Sequence, residues 1–310
     1  MPHGWIILDK PVGLGSTQAV AAVKRNLREA GFGKKVKVGH GGTLDPLAEG
    51  VLPIAIGEAT KLSGRLLDAS KEYVFTLAFG TETDTLDLEG EAVARSDVRP
   101  TLSASDAILP QFTGPIEQVP PAYSAIKVDG QRAYDRARAG EVVEMKPRAV
   151  TIHSLTLSSH SGEGGDQVDG EIDTITIAAH VSKGTYIRSL ARDIAHALGT
   201  VGHVTMLRRV RAGPFALDKA ISLDKLNEMG KGAPIEQILL PLEAGLDDIP
   251  AFDLSPEQAR AVRQGRVLSG MSLMDGQFWA RSGGVPVALM ELEGGDARVV
   301  RGFNVSDVAE

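Results

Sequence analysis

No cysteine occurs among the 310 residues, which excludes disulfides, thiolate metal sites and a cysteine nucleophile together. No apolar run is long enough to span a bilayer. Residues 1–10 carry neither a basic start nor a sustained apolar stretch, so no secretory leader is expected and the expected compartment is the cytoplasm. The seven histidines show no metal-ligand spacing: no two stand four apart, and none belongs to a His-x-x-Glu-His pattern. A bound metal and a metal mechanism are therefore not expected. No internal repeat is found. The turn around Gly13 and Gly15 lacks the third glycine of a dinucleotide fingerprint, and no Gly-Lys-Ser/Thr occurs, so a nucleotide-phosphate loop is excluded as well.

What is present is a globular balance, 43% hydrophobic and 24% charged, in a chain long enough for one large domain and a small one. The net charge of −7 argues against a protein coating nucleic acid over its whole surface. Its distribution is uneven. Residues 1–65 hold nine Lys/Arg against five Asp/Glu, and residues 180–215 hold six against one. Acids gather at 82–106 and 216–253. The two basic segments are either solvated faces or one positive face able to follow a phosphate backbone.

Residues 4–10 read as a short buried strand closed by Pro11 and Gly13. Ser16 and Thr17 are expected to cap a helix over 18–29, with Val20, Val23 and Leu27 on one face and Gly31 at its end. Residues 51–56 form an apolar run, and 59–67 read as a helix. Residues 71–80 alternate with period two and give the clearest strand. An acidic turn follows at 83–87. Further strands are expected at 148–157 and 171–180, with a surface hairpin tip at 158–170. Short helices are expected at 129–138 and 189–198. Alternating rather than continuous apolar strands point to an α+β fold, a mainly antiparallel sheet with flanking helices. A shift near Asp247-Asp248-Ile249-Pro250 marks a linker, so 1–247 and 250–310 are expected as a large and a small, mostly β domain.

Asp45 stands between Leu44 and Pro46 in a segment whose glycines and prolines fix the backbone. A carboxylate in such apolar, rigid company is expected to be partly desolvated and to need a cationic partner. On its own an Asp-Pro is also a plain turn former. The whole segment 39–53, however, reads G-H-x-G-x-L-D-P-x-A-x-G-x-L-P, and this resembles the catalytic loop of the tRNA pseudouridine synthase B family. Four further stretches resemble that family in the same order: Lys10-Pro11 with Ser16, the strand Lys71-Glu72-Tyr73, Gly184-Thr185-Tyr186-Ile187-Arg188, and Leu207-Arg208-Arg209.

The resemblance implies a pseudouridine synthase fold with a PUA-like C-terminal β-barrel. It implies isomerisation of the T-loop uridine at tRNA position 55, by base flipping and carbon re-attachment, without a cofactor. Asp45 would be the nucleophile, Arg188 its cationic partner, and Tyr73 the platform that stacks on the uracil and assists proton transfer. Lys10 would lie near the substrate backbone, His40 at the vacated base position, Tyr186 in the uridine pocket, and Leu207 under the base. Arg208 and its neighbours would face phosphates. The Pro-rich stretch and short helix at about 115–148 match the family's T-loop-gripping insertion. The partner implied is the T-arm of tRNA, with no membrane, and the protein is expected to act as a monomer. Three rivals stay open: a guide-RNA-dependent synthase, which shares the Asp loop but lacks the full insertion; a tRNA-folding chaperone; and an Asp-based hydrolase, disfavoured because no second catalytic carboxylate is recognisable.

Overall fold

Strand β1 (Gly4–Lys10) shows how the residues build the architecture. Trp5 and Ile7 point to one side and Ile6 and Leu8 to the other, and all four are buried. A strand covered on both faces needs apolar residues at every position. The computed structural model describes residues 1–124, 126–161, 170–230, 235–271 and 274–305.

Around β1 lie β2 (Val38–His40), β3 (Glu49–Ile56), β4 (Lys71–Phe79), β5 (Gly114–Gln118), β6 (Arg148–Ser161), β7 (Thr174–Val181) and β8 (Gly202–Ala212). They join in the order β1-β3-β8-β4-β7-β6-β5, with β2 beside β3. Every pairing in that path is antiparallel except one. The exception is a short parallel contact of β3 with β8, through Glu49–Arg208 and Gly50–Arg209. The antiparallel sheet and flanking helices expected from the alternation are what the fold contains.

That parallel contact is a seam between two cores. On one side α1 (Ser16–Glu29) packs Ala19, Val23 and Leu27 against Ile6, Leu8, Leu52 and Ile54. On the other, α3 (Ile187–Ala197) packs Leu190, Ala191 and Ile194 against Phe75, Leu77 and Ile177, while α2 (Ser63–Asp68) lies under the loop between β2 and β3. Tyr73 and Leu207 touch both cores. The opposite face of β1, through Trp5 and Ile7, packs with Phe215, Leu242, Trp279, Leu289 and Phe303. This third core docks the C-terminal unit, a five-stranded sheet with its own helix (Pro256–Arg263) and its own apolar cluster. Ser255 caps that helix as a capping box with Gln258.

Three local expectations are corrected. The N-cap of α1 is Gly15, and Ser16 is already helical; its hydroxyl is used elsewhere, as described below. The helix read over 59–67 is a 3-10 turn, Gly57–Leu62, followed by α2. The strand read from residue 148 runs further, as Arg148–Ser161; most of the hairpin tip, 162–169, lies outside the described residues.

Gly50 sits on the seam at φ +100°, where a Cβ would stand 2.2 Å from the Arg209 carbonyl oxygen. Neither the backbone angle nor a strand carbonyl can give way cheaply. Gly50→Ala is expected to lower stability by about 3 kcal/mol, read as an earlier urea midpoint at unchanged m-value.

Candidate active site

The loop between β2 and β3 carries Asp45 and is pinned from four directions. Ser16 Oγ accepts from the Leu44 N–H at 2.8 Å and donates to the Leu44 carbonyl at 2.9 Å. The Gly13 N–H donates to the Pro46 carbonyl at 2.8 Å. Arg209, 1% exposed, donates to the carbonyls of Val51 (2.7 Å), Gly42 (3.1 Å) and Thr43 (3.2 Å). Behind the loop, Leu66 of α2 fills the space under Gly41, where a Cβ would meet it at 2.6 Å. Asp45 is thus held by its neighbours' backbone rather than by its own packing. Its side chain is 43% exposed, more open than its apolar company suggested.

Arg188, in the first turn of α3, meets it. Nη2 donates to Asp45 Oδ2 at 2.8 Å and to the Tyr123 carbonyl at 3.1 Å. Nη1 donates to the Thr85 carbonyl at 2.8 Å and lies 3.2 Å from Asp87 Oδ2. Among the described residues no donor bonds Asp45 Oδ1. A guanidinium with five donors in a fixed fork can serve four partners at once; an ammonium cannot.

Asp45, Ala48, Arg188 and Leu207 stand on the wall between two cavities. One, about 230 Å³, is lined mainly by Val12, Leu47, Leu88, Val204 and Met206. The other, about 330 Å³, brings in Lys71, Tyr73, Tyr186 and Arg209, a volume at the small end of small-molecule sites. The sheet therefore gathers Asp45, Tyr73, Arg188, Tyr186 and Leu207 around one space. Burial pushes the Tyr186 phenol up, so it stays protonated at neutral pH and can donate.

Of the other sequence-predicted residues, Lys10 and Arg208 are engaged away from the two cavities, and His40 stands beside the Asp45 loop. Lys10 is fully buried, its ammonium on the carbonyls of Leu14 (2.6 Å), Pro11 (2.9 Å) and Pro46 (3.3 Å). Burial pulls its pKa down to about 8. It braces the turn against the Asp45 loop and lines neither cavity. Arg208 is held by Asp9 at 2.8 Å and Glu49 at 3.0 Å, tying β8 to β1 and β3. His40 ends β2, where its Nδ1 accepts from the Gly42 N–H at 3.4 Å. Burial, then the charge of Arg209, lowers its pKa, so it is neutral at neutral pH.

Asp87 was legible only as part of an acidic turn. It is buried at 6%, accepts from Thr85 Oγ1 at 2.5 Å and from the Glu89 N–H at 3.0 Å. Leu86 before it adopts φ +63°, a strained angle for a branched side chain. A second carboxylate therefore does accompany Asp45, joined to it through Arg188. Asp87 acts as a positioning residue that fixes Nη1 so that Nη2 faces Asp45. Asp87→Asn is expected to lower turnover about 10–100-fold with substrate affinity unchanged, measured by single-turnover kinetics beside a binding titration. Gln118, 1% exposed, holds the Tyr186 backbone from both sides, at 2.8 and 3.1 Å; no motif announced it.

Residues 28–187 match the model of the TruB family pseudouridylate synthase N-terminal domain, and residues 188–247 that of a tRNA pseudouridylate synthase B C-terminal domain. A protein of Novosphingobium aromaticivorans named tRNA pseudouridine synthase B is 70% identical over 310 residues, the whole of both chains. One of the same name from Zymomonas mobilis is 58% identical over 97% of this chain and 96% of its own. Among solved structures, a chain of the archaeal box H/ACA sRNP Nop10-Cbf5 complex superposes with a TM-score of 0.69 at 25% identity, covering 97% of this chain and 86% of that one.

Proposed function

The chain belongs to the TruB family of pseudouridylate synthases, an enzyme of tRNA pseudouridylation, and from that premise we propose that it isomerises the T-loop uridine through Asp45. The observation that carries the proposal is the Arg188–Asp45 pair at 2.8 Å beside Tyr73 and Leu207. An extruded uracil needs an apolar floor and an aromatic face. Leu207 and Tyr73 supply them at the seam of the two cores.

The bond from ribose C1′ to N1 breaks, the uracil turns without leaving, and C1′ joins C5. N1 regains a proton and C5 loses one, so no electrons are exchanged with a cofactor. Arg188 orients Asp45 through Oδ2 while leaving Oδ1 free to approach carbon. Tyr73 stacks on the base and carries the proton from C5 toward solvent. Tyr186 donates to a uracil carbonyl. His40, neutral and next to the catalytic loop, fills the stack the base has left.

The T-arm is the part of tRNA engaged, gripped by the insertion at 115–148, whose Tyr123 carbonyl rests on Arg188. That contact links RNA capture to the catalytic pair. The enzyme acts as a cytoplasmic monomer without a guide RNA, with the C-terminal sheet as a PUA-like RNA-binding module. No helix among the described residues is long and apolar enough to cross a membrane.

The test is incubation of an unmodified tRNA transcript with the purified chain, followed by carbodiimide adduction and reverse transcription. A new stop at the T-loop uridine alone is expected. A stop elsewhere, or none without added guide RNA, overturns the assignment.

A further inference from the structure

The two basic segments of this acidic chain have opposite fates in the fold. All six Lys/Arg of residues 180–215 have partners within the chain, four of them at least partly buried. Lys183 pairs with Asp68, Arg188 with Asp45 and Asp87, Arg192 with Asp193, Arg208 with Asp9 and Glu49, and Arg211 with Glu72. Arg209 is spent on carbonyls. Arg188, Arg208 and Arg209 are thereby committed within the fold, while Lys183 and Arg211 stand in exposed pairs that hold them only weakly.

Residues 24–37 differ. Lys24, Arg28, Lys34, Lys35 and Lys37 are exposed, and among the described residues none has a carboxylate partner. Lys24, Arg28 and Lys34 line one cleft of about 350 Å³ between α1 and the loop before β2, floored by Ala21, Leu27 and Val36. Arg28 Nε is turned back to the Lys24 carbonyl at 3.4 Å, which brings the two cations to the same edge. Val38, the first residue of β2, closes the cleft, and His40 ends that strand. At about 3.3 Å per residue the cleft begins about 7 Å along the strand from His40.

Resting on the function proposed above, we propose that this cleft is a second RNA-docking surface, which holds the sugar-phosphate backbone of the substrate tRNA beside the catalytic loop. Unpaired cations on a protein of net charge −7 repel one another and offer the chain no internal gain, whereas a polyanion releases counterions on meeting them. The cleft walls keep three charges convergent, and its apolar floor offers no partner for a base edge, so the contact reads backbone and not sequence.

The experiment compares the full chain with a Lys24→Gln, Arg28→Gln, Lys34→Gln triple variant on a full-length tRNA transcript. Both tritium release from C5-labelled uracil and binding at several salt concentrations are followed. A Lys225→Gln variant, on the neighbouring helix Leu223–Gly230 and paired with Glu228, controls for the loss of a cation outside the cleft. The expected result is about a tenfold weaker affinity, a log–log salt slope shallower by about three, and unchanged kcat. The Lys225→Gln variant should keep the wild-type slope. An unchanged slope in the triple variant, or an equal change in the control, overturns the inference. So does a loss of heparin binding with tRNA binding intact, since the cleft would then serve another polyanion. Absence of tritium release by the wild type would instead refute the function itself, whatever the slopes show.

Discussion

Arg188→Lys is expected to lower kcat by about 10²–10³-fold while tRNA affinity changes little. The reason is geometric. One guanidinium bonds Asp45 and the Tyr123 carbonyl through Nη2, and the Thr85 carbonyl and Asp87 through Nη1. Lysine keeps the charge but presents three donors from one nitrogen, and cannot span the catalytic loop, the acidic turn and the insertion together. If its ammonium follows the buried Asp87, Asp45 loses its orienting bond. If it follows Asp45, a buried carboxylate is left without a cation, which is the costlier arrangement. Stability is therefore expected to fall along with kcat, and a urea titration separates the two. A kcat within about threefold of wild type would show that the fork does not orient Asp45. Arg188→Met should be worse still, since both carboxylates then lack a cation.

Much of this site was legible in the sequence because it consists of short contiguous runs whose composition is unusual. Asp45 in a Gly/Pro frame demands a cation, and Arg188 arrives at the strand-to-helix junction where a family motif had put it. Tyr73 and Leu207 lie on strands whose alternation is plain, and the sheet order then sets them on one seam.

What escaped the sequence is everything that depends on a distant backbone. Ser16 has the composition of a helix cap, and nothing local says that its hydroxyl is needed 28 residues away at Leu44. Arg208 and Arg209 look alike as adjacent cations. Period-two geometry sends one to Asp9 and Glu49 and the other into the loop's carbonyls. Lys10 is expected near the substrate backbone, but it is fully buried with its ammonium spent on carbonyls. Asp87 was hidden for the same reason: its meaning lies in sharing Arg188, 101 positions further along the sequence. Charge counts per segment also misled, because they do not record which cations already have partners.

The most direct test of the account is tritium release from a tRNA transcript labelled at uracil C5, with wild type and Asp45→Asn side by side and binding measured on the same samples. Asn keeps the size of the side chain and one oxygen for Arg188 Nη2, but its neutral amide is a poor nucleophile. Asp45 is also 43% exposed and held through its loop's backbone, so the substitution is expected to leave folding and tRNA affinity intact. Loss of the group that attacks carbon should slow turnover by about 10⁴-fold or more. Wild type is predicted to release about one equivalent of tritium per tRNA, by the stoichiometry of replacing one C5 hydrogen, and Asp45→Asn none while binding equally well. Release by Asp45→Asn at a rate near that of wild type would contradict the central claim that this carboxylate carries the isomerisation.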